Sequence, residues 1–334
     1  MDANELLQRY THGERDFRGL DLNSANLIGV TLDRCNLSEC NLQDSSLARA
    51  YLKRCFLKNA NLNGAFLYGT NLSYVKLQGA LLMEADLTKA DLRGAHLGKA
   101  DLTGAKLSGA ILTWVSLYRA KMPGVNLCGS NLNGINLRSA HLQGANLNWT
   151  NLSGARLSGA NLQGASLNGV KLSGAFLNGL KLNGSDFSGL ELDEVKLNGA
   201  TLADSNFTGA NLGGAQMRLT SFNRANFTKA DMHKTLLRRG MFVQANLMKT
   251  NLCDADLRQA DLSEANLNLA DLRGADLTEA NLRDAYLWGA NLDGACLRGA
   301  DLRGASLRDA IPIGANLQEA NLTGAIMPDG KIHS

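Results

Sequence analysis

The chain has 334 residues, a formal net charge of +3, 19% charged and 5% aromatic residues. Length alone allows about two domains, and the near balance of charge excludes a strongly acidic or basic surface overall. No stretch approaches the ~20 apolar residues of a membrane-spanning helix. The six cysteines and five scattered histidines (His12, His96, His141, His233 and His333) have no metal-ligand spacing. Met1-Asp2-Ala3-Asn4-Glu5 is acidic with no apolar run behind it, so no signal peptide is read and a reduced cytoplasm is expected.

Residues 1–16 predict a short helix. Asp2 with Glu5 resembles a capping box, Leu6, Leu7 and Tyr10 fall at helical spacing, and Gly13 is placed to end the segment. The expectation is a helix laid over the open end of the chain's repetitive part, shielding unpaired backbone groups; a partner-docking helix is the alternative.

A period of five begins at Phe17. Stepping five residues from Phe17 to Met327 gives 63 positions, all Leu, Phe or Met except Pro312. Two residues before each is a small residue, usually Ala; one before is commonly Asn or Asp; two after is often Gly. A helix repeats at 3.6 and a strand at 2, so neither fits, and a short fixed period signals a solenoid. One large and one small apolar residue per five can fill a narrow core. If each unit makes one side and one corner, four close a square of twenty residues. At ~4.8 Å per coil, about sixteen coils make a column roughly 75 Å long.

Units such as Ala90-Asp91-Leu92-Arg93-Gly94 and Ala210-Asn211-Leu212-Gly213-Gly214 resemble the pentapeptide repeat family. The resemblance covers residues 17–327 and implies a right-handed quadrilateral β-helix, an all-β solenoid with the centre residue and the one two before it facing inward. The unbroken register predicts one continuous domain over 17–327, preceded by the capping helix over 1–16 and followed by a tail or plug over 328–334. Both ends resemble those of cyanobacterial members, including one that regulates heterocyst differentiation.

Along the repeat, residues 17–60 replace Gly at the corner by Arg34, Glu39, Asp44, Arg49 and Arg54, which predicts a different corner geometry there. Cys35 and Cys55, one coil apart, read as small buried thiols rather than a bonded pair, and Cys40 fills the same kind of slot. Tyr74, Trp114 and Tyr118 are outward aromatics, with Tyr74 and Trp114 two coils apart on one face and Gly94 between them. The run from Leu102 to Ser185 holds no acid but carries Lys106, Arg119, Lys121, Arg138, Arg156, Lys171 and Lys181. Phe187, Phe207 and Phe227 predict one internal stack and Phe222 with Phe242 a second. Outside them Arg218, Arg238, Arg258 and Arg298 share one column, and Arg224, Lys229, Lys234 and Arg239 make a basic belt: a candidate strip for an anionic partner. Asn206, Asn226, Asn246 and Asn266 predict an amide ladder. Pro312 lacks a ladder N–H, so irregular last coils are expected, and Pro328-Asp329-Gly330 predicts a tail that folds back.

No nucleophile elbow, phosphate loop or metal cluster stands out, and the periodic glycines belong to corners. The sequence therefore predicts a non-enzymatic rod with no cofactor and no small-molecule substrate, binding a protein partner through its outer faces in a regulatory role. Some members of the resembled family bind DNA gyrase by mimicking DNA. Those are acidic, dimerise through a C-terminal helix and in some cases carry loops, and this chain departs on each count. Direct nucleic-acid binding through residues 218–249 is the weaker alternative, because no base-reading element is visible.

Overall fold

The computed structural model describes residues 3–334; Asp2, half of the expected capping pair, lies outside them. One helix, α1 (Ala3–Thr11), opens the chain. It ends at Gly13 with φ +97°, where Gly13 N–H donates to the Tyr10 carbonyl at 3.0 Å and Glu14 N–H to the Arg9 carbonyl at 3.1 Å. This pair of bonds is a Schellman ending, which satisfies carbonyls the helix leaves open. Leu6 is buried, and the Arg9 guanidinium stands 5.7 Å from the centre of the buried Phe17 ring.

From Asp16 onward each bridging residue pairs in parallel with the residue twenty further on: Asp16 with Asn36, Asp21 with Asn41, Asn26 with Ser46, Thr31 with Tyr51. Four five-residue sides therefore complete one coil. Each side contributes a single bridging residue, so the fold has a β ladder without extended strands. Two compact units are present, Met1–Lys171 and Leu172–Ser334. The ladder of the first closes with Asn151 and Lys171, and that of the second begins with Phe176 and Lys196.

The composition of the repeat follows from where its five amides go. In the unit around Leu37, Leu37 N–H donates to Phe56 O (2.7 Å), Glu39 N–H to Lys58 O (2.9 Å) and Asn36 N–H to Arg15 O (2.7 Å), while Cys40 N–H closes the corner on Leu37 O (3.3 Å). The fifth amide, of Ser38, donates to the Asn36 side chain at 3.2 Å. Asn or Asp before the centre is thus an Asx acceptor for the residue two on. Where that position is not Asn or Asp, an Asn or Asp after the centre of the preceding coil can serve instead. Tyr51, Leu81 and Tyr286 occupy it, and the amides of Lys53, Met83 and Trp288 donate instead to Asp33, Asn63 and Asn268 on the preceding coil. Unpaired buried amides are costly, and these two arrangements share the work of avoiding them.

All corners have one geometry. Every fifth residue from Gly19 to Gly324 has positive φ, whether Gly or not. Arg34, Glu39, Asp44, Arg49 and Arg54 lie at φ +51° to +63°, close to Gly64 at +65°. The different corner expected over residues 17–60 is not found. The coil-to-coil bonds at both ends of each corner impose the left-handed residue, and the side chain bears the strain of ~1–2 kcal/mol.

The core repeats Leu and a small residue with little else. Where the small slot holds a hydroxyl, a carbonyl accepts it: Thr70 donates to Leu47 O (2.7 Å), Thr220 to Leu197 O (2.8 Å) and Thr250 to Phe227 O (2.8 Å). Cys35, Cys40 and Cys55 are buried free thiols in the same slot, with Cys55 donating to Leu32 O at 2.8 Å.

In the second unit both expected ring stacks are present. Phe207 lies 5.0 Å from Phe187 and 4.8 Å from Phe227, nearly parallel to each, and Phe222 lies 5.1 Å from Phe242. The two stacks meet edge to face between Phe207 and Phe222 at 5.8 Å, a favoured aromatic arrangement. The asparagine column does not form a direct amide ladder. Asn226 Nδ2 donates to Thr208 Oγ1 and Asn246 Nδ2 to Thr228 Oγ1, both at 3.0 Å. The relay follows from the threonine two residues after the asparagine of the preceding coil, whose Oγ1 takes the amide; at Asn41 and Asn61 the direct bond does form, at 3.2 Å.

Pro312 leaves its corner regular: Ala315 N–H reaches Pro312 O at 3.1 Å and Gly314 keeps φ +66°. It sits in the last coil, where no further coil waits for a centre amide, so the missing N–H removes no bond. The tail does fold back. Ile326 pairs antiparallel with Ile332, and His333 N–H donates to Ala325 O at 2.8 Å.

Candidate interaction surface

Three positions of every five face outward: those before and after the centre, and the corner. Corner side chains follow one spatial rule. A bulky corner residue lies over the corner twenty residues on, and that later corner is then often Gly. A Cβ added at Gly94 would sit 2.7 Å from the Tyr74 ring, and one at Gly134 3.0 Å from Trp114. Trp149 covers Gly169 in the same way. Trp114 and Trp149 are 74% and 70% exposed, with Tyr74 at 53%, so each ring is seated flat on backbone with its other face in solvent. Trp149, unnoticed in the sequence, carries the same signal as Trp114: a bulky corner followed by Gly twenty residues later. Tyr118 does not join them. Its ring is covered by the guanidiniums of Arg119 at 5.1 Å and Arg138 at 5.9 Å, a cation–π arrangement on a different side of the coil.

The arginine column of the second unit is less open than its sequence. Arg258 is held by Asp256 through two bonds of 2.8 Å and approaches Asp276 at 3.5 Å. The guanidinium hydrogen bond holds the Asp256 carboxyl below its usual range. Arg224 is likewise forked onto Asp204 at 2.7 and 2.8 Å. Arg238 and Arg239 converge on Gln259 Oε1 at 3.4 and 2.9 Å. Arg218, Lys229, Lys234 and Arg298 are exposed and have no salt bridge among the described residues. The expected strip is thus neutralised at Arg258 and Arg224, held in place by a neutral amide at Arg238 and Arg239, and free of carboxylate partners at Arg218, Lys229, Lys234 and Arg298.

Among the described residues no group of three or more His, Cys, Asp or Glu is placed to hold a metal, and no helix is long and apolar enough to cross a membrane. The pattern described as pentapeptide repeats matches in overlapping copies over residues 120–199, 200–239 and 242–329. A second, the pentapeptide repeat region, matches residues 30–107. The chain belongs to the pentapeptide repeat family. Members of this family form right-handed quadrilateral β-helices, which agrees with the four-sided coil seen here. Among solved pentapeptide repeat structures, the chain is 27% identical to HetL of Nostoc sp. strain PCC 7120, which is involved in heterocyst differentiation regulation, with all of both chains covered and a TM-score of 0.22. It is 28% identical to Rfr23 of Cyanothece 51142, covering 50% of this chain and 97% of that one (TM-score 0.22). To a thylakoid-lumen member from Arabidopsis thaliana it is 30% identical, covering 40% and 72% (TM-score 0.19). No curated protein sequence matches it.

Proposed function

We propose that this pentapeptide repeat protein is a non-enzymatic interaction scaffold of about sixteen coils, capped by α1, that binds a protein partner through its outer faces in a regulatory role. The observation that carries this reading is the seating of Trp114 and Trp149 over glycine corners in the first unit. Leaving a large apolar ring in water forgoes ~1.5–3 kcal/mol of burial, and tryptophan is the residue type most enriched where protein partners bind tightly. A ring already fixed on backbone loses little conformational freedom on association. The free cations Arg218, Lys229, Lys234 and Arg298 offer a second, electrostatic contact in the other unit.

The test is crosslinked affinity capture from native cells with the full chain. Replacing Trp114 and Trp149 by Ser is expected to remove a discrete set of captured proteins while circular dichroism stays unchanged. Capture of the same set by the variant would overturn the reading of the aromatic corners. Retention of every partner after Arg218, Arg238 and Arg258 are changed to Ser would remove the basic strip from it.

A further inference from the structure

One outer side of the first unit carries an open groove of about 820 Å3, bordered by Phe56, Lys58, Lys76, Lys99 and Tyr118 and floored where position 98 is Gly. Lysines at successive coils of one side would normally be interleaved with carboxylates. Here they are not: the outward positions of this side from Phe56 to Gly159 include Lys58, Lys76, Lys99, Arg119, Arg138 and Arg156 and no Asp or Glu. None of Lys58, Lys76, Lys99, Arg119 or Arg138 has a salt bridge among the described residues. His96 lies on the same side, and its imidazole is held below its usual pKa, first by burial and then by the Lys76 ammonium. The field over these rows is therefore positive, with Glu39, at the corner of the preceding row, as the carboxylate at the groove's edge, and the Phe56 ring is half exposed within it.

We infer that this groove binds an acidic peptide segment in extended conformation, with one apolar side chain against Phe56 and carboxylates on Lys58, Lys76 and Lys99. The inference rests on the reading of the protein as a binding scaffold and uses a different side from Trp114 and Trp149. Length supports a peptide: the rows at 38, 58, 78, 98 and 118 span ~19 Å at ~4.8 Å per coil, room for about six extended residues at ~3.3 Å each. The chemistry opposes a nucleic acid strand, which needs successive free ring faces for its bases and favours arginine forks for its phosphates. The Tyr118 ring is already covered by Arg119 and Arg138, so one free ring remains, and the cations at the groove are lysines.

Gly98 makes the test clean. Its φ is not in the left-handed region, and an added Cβ would meet only Tyr118 O at 3.6 Å, so Gly98→Gln fills the groove without straining the coil. The probes are a fluorescein-labelled peptide of glutamates around a central phenylalanine and an oligo-dT of matching charge, each titrated against the full chain by anisotropy. Saturable peptide binding is expected, weakened about tenfold or more both by Gly98→Gln and by Lys58→Glu/Lys76→Glu/Lys99→Glu. The control Lys229→Glu/Lys234→Glu/Lys249→Glu, the same charge change in the second unit, should leave it within about twofold. Absence of saturable binding, an equal loss in the control, or tighter binding of oligo-dT that Gly98→Gln abolishes would each overturn the inference. None of these outcomes depends on whether Trp114 and Trp149 recruit a partner.

Discussion

A thiol in a slot built for a methyl group titrates like a thiol in oil. Cys35 and Cys40 are pushed up to about 11, and Cys55 to about 12, in each case chiefly because burial penalises the thiolate. Below the ordinary thiol pKa of ~8.5 all three are neutral in both the folded and the unfolded chain and contribute no pH dependence. As pH rises above that value the unfolded chain loses protons first, so stability falls from there through about 12. At pH 8, iodoacetamide should label half-exposed Cys128 and Cys296 first and leave Cys55 unmodified until the coil opens; peptide mass spectrometry against time checks the order. Thr70 tests the polar version of the slot. Thr70→Val keeps the shape and removes the hydroxyl bond to Leu47 O, which also accepts the Ala50 amide. The carbonyl is not orphaned, so the expected cost is ~1 kcal/mol in urea denaturation rather than the larger cost of an unsatisfied group.

At the scale of one coil, a corner and the core beneath it respond differently to substitution. Gly124→Ala and Gly134→Ala both put a Cβ at φ +66°, but only the second has a ring above it. Both should lose ~1–2 kcal/mol to left-handed strain. In a Trp149→Phe/Trp288→Phe background only Gly134→Ala should also shift the fluorescence of Trp114, by lifting the indole from the backbone. Beneath the corners, Phe207 touches three rings and Phe187 one. At ~0.5–1.5 kcal/mol per aromatic pair, Phe207→Leu should lower the urea midpoint more than Phe187→Leu. Much of this is legible in the sequence. The core positions follow from residue type and spacing alone, whereas the twenty-residue register, and with it both Phe stacks, needs the four-sided coil that the family resemblance implies. The uniform corner is not, because a preference for Gly at positive φ is weaker than the three coil-to-coil bonds that fix each side. The Asn–Thr relay is hidden because it depends on which rotamer the asparagine and the threonine adopt, which no spacing specifies. At the surface, Tyr74 and Trp114 are legible as outward aromatics, whereas the neutralisation of Arg258 by Asp256 and Asp276 depends on rotamers that no spacing specifies.

A repeat protein is held by nearest-neighbour contacts, so its stability is set coil by coil and is lowest at ladder ends. In the second unit the centre amides of Leu297, Leu302 and Leu307 each donate to the next coil at 2.8 Å. Those of Leu317 and Leu322 have no backbone partner among the described residues. Leu317 and Leu322 are also only half-buried, whereas Leu297 and Leu302 are fully buried. Native-state hydrogen exchange should therefore show residues 317–323 exchanging through local opening, faster than residues 297–303 by about a hundredfold or more if the ladder bonds and burial are worth ~3 kcal/mol. Equal protection of the two stretches would mean that the folded-back tail, through its Ile326–Ile332 pair, holds this coil as firmly as a further coil would.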